Sequence, residues 1–260
     1  MRAKNLKYLL LTLSFLSIYA CAQKQESSTK SAHSKKELAL MPSGKKVEFP
    51  GKKQSVDCEY EQNMAKQGLV NIKDVDSDIL VELKYSTTDN FVGKDVYGCI
   101  SICYLQKKVA NMLAAASKYL KSENDSLRLL VYDGARPLAI QKILWESLPQ
   151  YKPSIRKNYV ANPAEGSIHN YGSAIDLTIS NRNGQPIDMG TKYDFFGELA
   201  FPKLEAKLLT EGKLTQKQIN NRKLLRSVMR KAGFTPIEYE WWHFNAVSRQ
   251  KAKSLYKIVQ

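Results

Sequence analysis

The chain has 260 residues, enough for one large domain or two small ones. Its formal net charge is +15, from 40 Lys and Arg against 25 Asp and Glu. That excess is spread over lysine pairs and helix faces rather than gathered in one basic stripe with interleaved aromatics, which argues against a nucleic-acid partner.

Met1 to Cys21 reads as an export signal. Arg2, Lys4 and Lys7 precede an apolar run from Tyr8 to Leu16, followed by Ser17-Ile18-Tyr19-Ala20-Cys21. The run is too short to span a bilayer as a mature helix. Ala20-Cys21 resembles the lipobox of bacterial lipoproteins, which would make Cys21 a lipid-bearing N-terminus anchored in a membrane. Cleavage after Ala22 is the rival reading, since Ala20-Cys21-Ala22 also fits small-x-small. Either way an exported protein of the cell envelope is expected, with no nucleic acid to meet; which membrane is left open. Residues 22–57 are Lys, Ser, Gln, Glu and Gly with isolated apolar positions, the composition of a flexible tether. His33 falls there and is read as solvated. In an oxidising compartment two of Cys58, Cys99 and Cys103 are expected to pair, with the partners undetermined.

Residues 58–260 are the part that can bury one core. Asp78 to Tyr85 is rich in β-formers and predicts a strand, and Ser86 to Gly98 a loop. Leu105, Val109, Met112, Leu113, Ala116 and Leu120 recur at helical spacing. Leu127 to Tyr132, a short apolar run between turn formers, predicts a buried strand. Asp133-Gly134-Ala135-Arg136-Pro137 follows, with Pro137 suited to the first position of a helix reaching about Leu148. From Ser173 to Ser180 the alternation places Ile175, Leu177 and Ile179 on a buried face and Asp176 on the other, toward a cleft. Asn183-Gly184 marks a turn. Thr215 and Gln218 form a candidate capping box, Ile219, Leu224, Leu225, Val228 and Met229 a helix face, and Gly233 its stop. A last strand is expected from Ile237 to Phe244. Strands and helices do not alternate regularly, so the expected class is α+β.

The chemistry concentrates in Ser167-Ile168-His169-Asn170-Tyr171-Gly172-Ser173-Ala174-Ile175-Asp176 and in Glu240-Trp241-Trp242-His243. A lone histidine is more often structural than a ligand. Here the two remaining imidazoles each come with a carboxylate, and two nitrogens with one oxygen suit zinc. His169, Asp176 and His243 would leave a fourth position open, as in catalytic rather than structural sites, where a bound water has its pKa lowered to about 7. Glu240 is the candidate acid/base, a role worth about 10²–10⁴ in rate. On a regular strand Glu240 and His243 would face opposite ways, so this reading requires a bulge, turn or strand end between them. Arg136 is the candidate stabiliser of a developing oxyanion, because a guanidinium stays charged and presents a rigid fork of donors.

Ser167-x-His169-x-x-Gly172-Ser173-Ala174-x-Asp176-Leu177-Thr178 with Glu240-Trp241-Trp242-His243 resembles the zinc D-alanyl-D-alanine dipeptidases of the VanX type. Lys84-Tyr85-Ser86-Thr87-x-Asp89-Asn90-Phe91-x-Gly93-Lys94, Asp133-Gly134-x-Arg136-Pro137 and Met189-Gly190-Thr191-x-Tyr193-Asp194-Phe195 carry the resemblance further, in order, from Ile79 to Asn245. It implies an α+β fold shared with zinc D,D-carboxypeptidases and hedgehog signalling domains, a small antiparallel sheet with helices packed on it. It implies one Zn²⁺ on His169, Asp176 and His243, Glu240 as general acid/base and Arg136 as transition-state stabiliser. Asp194 would hold the substrate ammonium, with Ser167 and Tyr85 lining the pocket. The implied substrate is D-alanyl-D-alanine or a similar D,D-dipeptide. An exported enzyme would not meet the cytoplasmic precursor pool, so salvage or trimming of wall-derived peptides is expected rather than glycopeptide resistance. Two rivals stand beside it: a D,D- or L,D-carboxypeptidase or endopeptidase acting on longer stem peptides, and a zinc-stabilised envelope binding module without turnover.

Overall fold

The computed structural model describes residues 57–260. The expectations for the export signal, for a lipid on Cys21 and for nearly all of the tether lie outside the described residues. Among the described residues the helices are α1 (Glu59–Lys66), α2 (Ile72–Val75), α3 (Lys107–Glu123), α4 (Leu138–Glu146), α5 (Pro153–Arg156), α6 (Glu205–Thr210), α7 (Gln216–Lys231) and α8 (Arg249–Leu255). The strands are β1 (Leu69–Asn71), β2 (Leu80–Val81), β3 (Tyr104–Gln106), β4 (Leu127–Asp133), β5 (Ala174–Asn181), β6 (Thr235–Pro236) and β7 (His243–Asn245). This is the expected α+β arrangement.

The main sheet runs β2-β4-β5-β7-β6, and β1 pairs with β3 in a second, two-stranded sheet. All pairs of the main sheet are antiparallel except β2–β4, which is parallel, so the sheet is mixed at that edge. One face of β5, with Ile175, Leu177 and Ile179, belongs to the apolar core, against which α3 and α7 pack. Helix α3 delivers Val109, Leu113, Ala116 and Leu120 to that core at spacings of three and four. Burying a leucine of this kind is worth about 1.5–3 kcal/mol, and Leu120→Ala should cost about 2–5 kcal/mol. The other face of β5, with Asp176, Thr178 and Ser180, is buried as well, which is why the strand reads as buried along nearly its whole length.

Helix α7 starts as expected: Gln218 N donates to Thr215 Oγ1 while Thr215 N donates to Gln218 Oε1, which satisfies two amides that the first turn leaves open. Gly233, at φ +95°, closes it. Cys58 pairs with Cys99, tying the start of α1 to the loop before β3; Cys103 is free and buried, its thiol pushed well up by burial.

Three local expectations are corrected. The strand expected from Asp78 to Tyr85 shrinks to β2, because the chain turns at Lys84–Ser86 into a 3₁₀ turn that buries Lys84 and Tyr85. Pro137 stands at the N-cap of α4, with ψ +146°, one position before the first helical residue. The strand expected from Ile237 to Phe244 is interrupted: β6 ends at Pro236, β7 begins at His243, and 237–242 is a bent connection.

Candidate metal centre and active site

Strand pairing and one capped turn bring the site together. Asp176 on β5 lies opposite His243 on β7 in register, so both side chains rise from the same face. His169 stands in the 3₁₀ turn Ile168–Tyr171, whose N-cap is Ser167. There the Ser167 hydroxyl accepts from His169 N at 3.3 Å, and Asn170 Oδ1 accepts from Ser167 N at 2.7 Å. Gly172 ends the turn in the left-handed region at φ +61°; a Cβ there would meet Leu69 Cδ2 at 2.8 Å.

The three ligand atoms converge. His169 Nε2 is 3.2 Å from His243 Nδ1 and 3.4 Å from Asp176 Oδ1, and His243 Nδ1 is 2.9 Å from Asp176 Oδ1. The outer nitrogens fix the tautomers. His169 Nδ1 donates to the Gly134 carbonyl at 2.8 Å, and His243 Nε2 donates to Asn245 Oδ1 at 2.9 Å. Both inward nitrogens then present lone pairs, facing one another and a carboxylate oxygen. Three acceptors with no donor between them repel unless a proton or a cation lies among them, so the donor set fits a divalent ion and in particular zinc. The second oxygen of Asp176 accepts from Tyr193 Oη at 2.9 Å, which leaves Oδ1 for the ion. Burial opposes ionisation of Asp176, but without the ion a proton on the imidazoles, His169 foremost, outweighs it and holds the carboxyl well below its usual range.

Glu240 and Arg136 flank this cluster. The interrupted strand supplies the turn that the Glu240 reading requires: Glu240 Oε2 comes to 4.0 Å from His243 Nδ1. Burial, with Asp176 and Asp194 nearby, raises the Glu240 carboxyl to about 7 against the pull of His243 and Arg136. Arg136 is buried, its Nε and Nη2 on Asp133 Oδ2 and its Nη1 donating to Gln141 Oε1 at 2.9 Å. Its guanidinium lies 5.1 Å from the Tyr85 ring centre, and Nη2 is 3.9 Å from Asp176 Oδ2. Asp133 is itself fixed by Tyr97 Oη and by Gly134 N.

On the other side Tyr85 Oη donates to Asp194 Oδ2 at 2.9 Å. Asp194 is the one non-glycine with positive φ among the described residues, at +57°. Burial first, then the Asp176 charge, push its carboxyl up to about 8. A pocket of about 310 Å³ opens beside it, walled by Phe91, Tyr193 and Phe195. Every candidate named from sequence therefore has a place near the cluster, except that the Ser167 hydroxyl is used on the His169 amide. The sequence reading gave no role of their own to Asp133, Tyr193 and Asn245. Asp133 and Tyr193 stand inside motifs it quoted, and Asn245 lies two positions after His243, on the same side of its strand.

A His-Asp-His donor set on two paired strands and one capped turn, with a raised glutamate and a buried arginine beside it, is the arrangement of a metallopeptidase. The family model described as D-ala-D-ala dipeptidase matches residues 65–258. The chain belongs to that family. It is 34% identical over 176 residues to the D-alanyl-D-alanine dipeptidase of Escherichia coli (strain K12), covering 68% of this chain and 83% of that protein. The D-alanyl-D-alanine dipeptidases of Enterococcus faecium and Enterococcus faecalis (strain ATCC 700802 / V583) are 31% and 32% identical over 183 residues. Those two matches cover 63% and 64% of this chain and 83% and 85% of the relatives.

Proposed function

We propose that the protein hydrolyses D-alanyl-D-alanine, or a similar D,D-dipeptide, to free D-amino acids in peptidoglycan metabolism, with one zinc ion on His169, Asp176 and His243. The observation that carries this reading is the convergence of three acceptor atoms with Glu240 4.0 Å from one of them. When bound, zinc supplies Lewis acidity toward the scissile carbonyl and toward water.

The chain's own groups do the rest. Glu240, with its pKa near 7, takes a proton from the attacking water and returns it to the leaving amine. Arg136 commits one N–H each of Nε, Nη1 and Nη2 to Asp133 and Gln141, which leaves one N–H on Nη1 and one on Nη2; Nη2, 3.9 Å from Asp176 Oδ2, is the nitrogen nearest the metal ligands and serves a developing oxyanion. The Asp133 and Gln141 contacts orient the fork before substrate arrives, so little reorganisation is needed. Asp194, protonated when the pocket is empty at neutral pH, ionises against the substrate ammonium, and Tyr85 Oη orients it. A buried carboxylate that must meet a cation selects free dipeptides over N-acylated or longer ones. Tyr85 and Ser167 frame the pocket, Ser167 through the turn that holds His169.

The catalytic domain is taken as residues 58–260, behind an export signal and tether, with the protein anchored at the envelope through a lipid on Cys21. The Cys58–Cys99 disulfide supports export, since such bonds persist in oxidising compartments. Mass spectrometry showing an unmodified N-terminus at Gln23 would remove the anchor.

The test of the activity is a hydrolysis panel on the full-length protein: D-Ala-D-Ala, L-Ala-D-Ala, N-acetyl-D-Ala-D-Ala and a D-Ala-terminated tripeptide, with and without chelator. Rapid, chelator-sensitive cleavage of the free D,D-dipeptide alone is expected. Equal rates on the N-acetylated compound would favour a carboxypeptidase. No turnover of any member with zinc loaded would favour a binding module.

A further inference from the structure

The segment 189–199 carries Tyr193 and Asp194, and both its ends are tied to one side chain. Arg222 stands on the core side of α7 and is fully buried. Its Nε donates to the Met189 carbonyl at 2.6 Å and its Nη2 to the Leu199 carbonyl at 2.8 Å. Bonds of this kind, from a charged donor, are stronger than neutral ones. Burial draws the Arg222 pKa down to about 10, which leaves it charged at neutral pH.

The rest of α7 reinforces the first end. Gln218 Nε2 donates to Asp188 Oδ2 at 2.8 Å and Asn221 Nδ2 to the Asp188 carbonyl at 2.7 Å. A Cβ on Gly190, where φ is +85°, would fall 2.5 Å from Leu214 Cδ2 and 3.3 Å from Arg222 Nη2, so glycine is what lets this backbone reach the helix. The middle of the segment is packed, with Tyr193 against Tyr85, Tyr132 and Trp242, and Phe196 against Phe91 and Tyr159. A half-open pocket of about 450 Å³ lies between it and the sheet, and Thr178 Oγ1, buried at its edge on β5, has no hydrogen-bond partner. The ends of the segment are therefore set by directed hydrogen bonds from α7, and its middle by these aromatic contacts together with Trp241 Nε1 on Thr191 Oγ1 and Tyr193 Oη on Asp176.

We infer that Arg222 is a positioning residue for specificity: it clamps both ends of 189–199 and so holds Asp194 at the separation from the metal cluster that admits a dipeptide with a free ammonium. This rests on the ammonium role proposed for Asp194. The nearest groups make a clean variant feasible. Glu205 lies 3.6 Å from Arg222 Nη1 but is also held by Arg226 at 2.8 and 2.6 Å, so Arg222→Met leaves no carboxylate stranded.

The experiment compares kcat and KM for D-Ala-D-Ala and N-acetyl-D-Ala-D-Ala on the full-length, zinc-loaded protein. The variants are Arg222→Met, Arg222→Lys, Gly190→Ala, Asp194→Asn and Arg226→Met, with Tm measured for each. Arg222→Met is expected to lower kcat/KM for the free dipeptide by about 10²-fold, through KM more than kcat, and to shrink its preference over the N-acetyl compound. Gly190→Ala should act in the same direction, and Arg222→Lys, which keeps the charge without the fork, should fall between. Arg226→Met should lower Tm while leaving the preference intact. If Arg222→Met keeps the wild-type preference while Asp194→Asn loses it, the clamp is overturned and the ammonium role stands. If Asp194→Asn keeps the preference, the ammonium role and the specificity claim fall together, and the clamp itself is then read from trypsin cleavage after the exposed Lys192. Faster cleavage in Arg222→Met but not in Arg226→Met upholds it; equal rates overturn it.

Discussion

The metal cluster and the segment that carries Asp194 meet where Tyr193 Oη donates to Asp176, but they are built differently. His243 and Asp176 are neighbours on paired strands, and His169 is in a turn capped at one end and closed by a left-handed glycine at the other. The Asp194 side is an irregular span beside a half-open pocket, its ends held by α7 and its middle by aromatic contacts of Tyr193 and Phe196. Reacting groups need placement within fractions of an ångström, and a strand ladder supplies it at little further cost. Recognition of a ligand's end tolerates a span that is adjusted by a few hydrogen bonds, and such spans change sequence and length with least damage to the core.

The largest expected effect falls on the rigid side. Glu240→Gln should lower kcat by about 10²–10⁴-fold with zinc content unchanged, since the amide neither takes nor returns a proton. Near-full activity in that variant, with zinc measured by atomic absorption, would take Glu240 out of the chemistry. Next is the support of the ligands. Asn245→Ala removes the acceptor that fixes the His243 tautomer and should weaken zinc binding by about 10–100-fold in a competition titration with a chelator. An unchanged affinity would show that β7 alone orients the ring.

The other side should respond to pH. In the folded protein Asp194 titrates at about 8, against 3.8 for an ordinary aspartate. Below the lower value both folded and unfolded chains are protonated there. Between the two values the unfolded chain ionises while the folded one does not, so stability falls as pH rises to about 8 and then levels. Asp194→Asn removes that loss and keeps a residue that tolerates the +57° φ. The Tm of the variant minus that of the wild type should therefore grow from pH 4 to pH 8.5. A difference independent of pH would mean that the carboxyl is ionised in the folded state throughout.

How much of this could be read beforehand follows the same division. His169, Asp176 and His243 were legible because residue types and short spacings carry them, and β5 because its alternation is strict. The Glu240 geometry was legible only as a requirement: the apolar-aromatic run gave one strand over 237–244, and its restriction to the end of that run depends on β7 pairing with β5 from His243 onward. Tyr193 on Asp176 and Asn245 on His243 were not read, because their partners are set by tertiary contact rather than by any local pattern. Arg222 left a trace that went unused. It is a charged residue between Ile219 and Leu225 on the buried stripe of α7, and a cation in such a stripe must find partners across the chain. The disulfide partners were undetermined for the same reason: three cysteines allow three pairings, and only the fold picks Cys58–Cys99.

The smallest effect separates the two regions at Ser167, which the family resemblance placed on the pocket wall and whose hydroxyl caps the His169 turn. If capping is its work, Ser167→Ala should cost about 1 kcal/mol, a loss of about 2–4 °C in Tm for a domain of this size. Zinc affinity would drop slightly, because the turn that orients His169 frays, while KM for the dipeptide would hold. If the hydroxyl instead contacts substrate, KM should rise several-fold and Tm should move little. Ser167→Thr restores a capping oxygen while adding a methyl group to a buried site, so it should recover stability in the first case and crowd the substrate in the second. A pair of variants at one residue thus decides whether Ser167 belongs with the framework that holds the metal ligands or with the surface that reads the substrate.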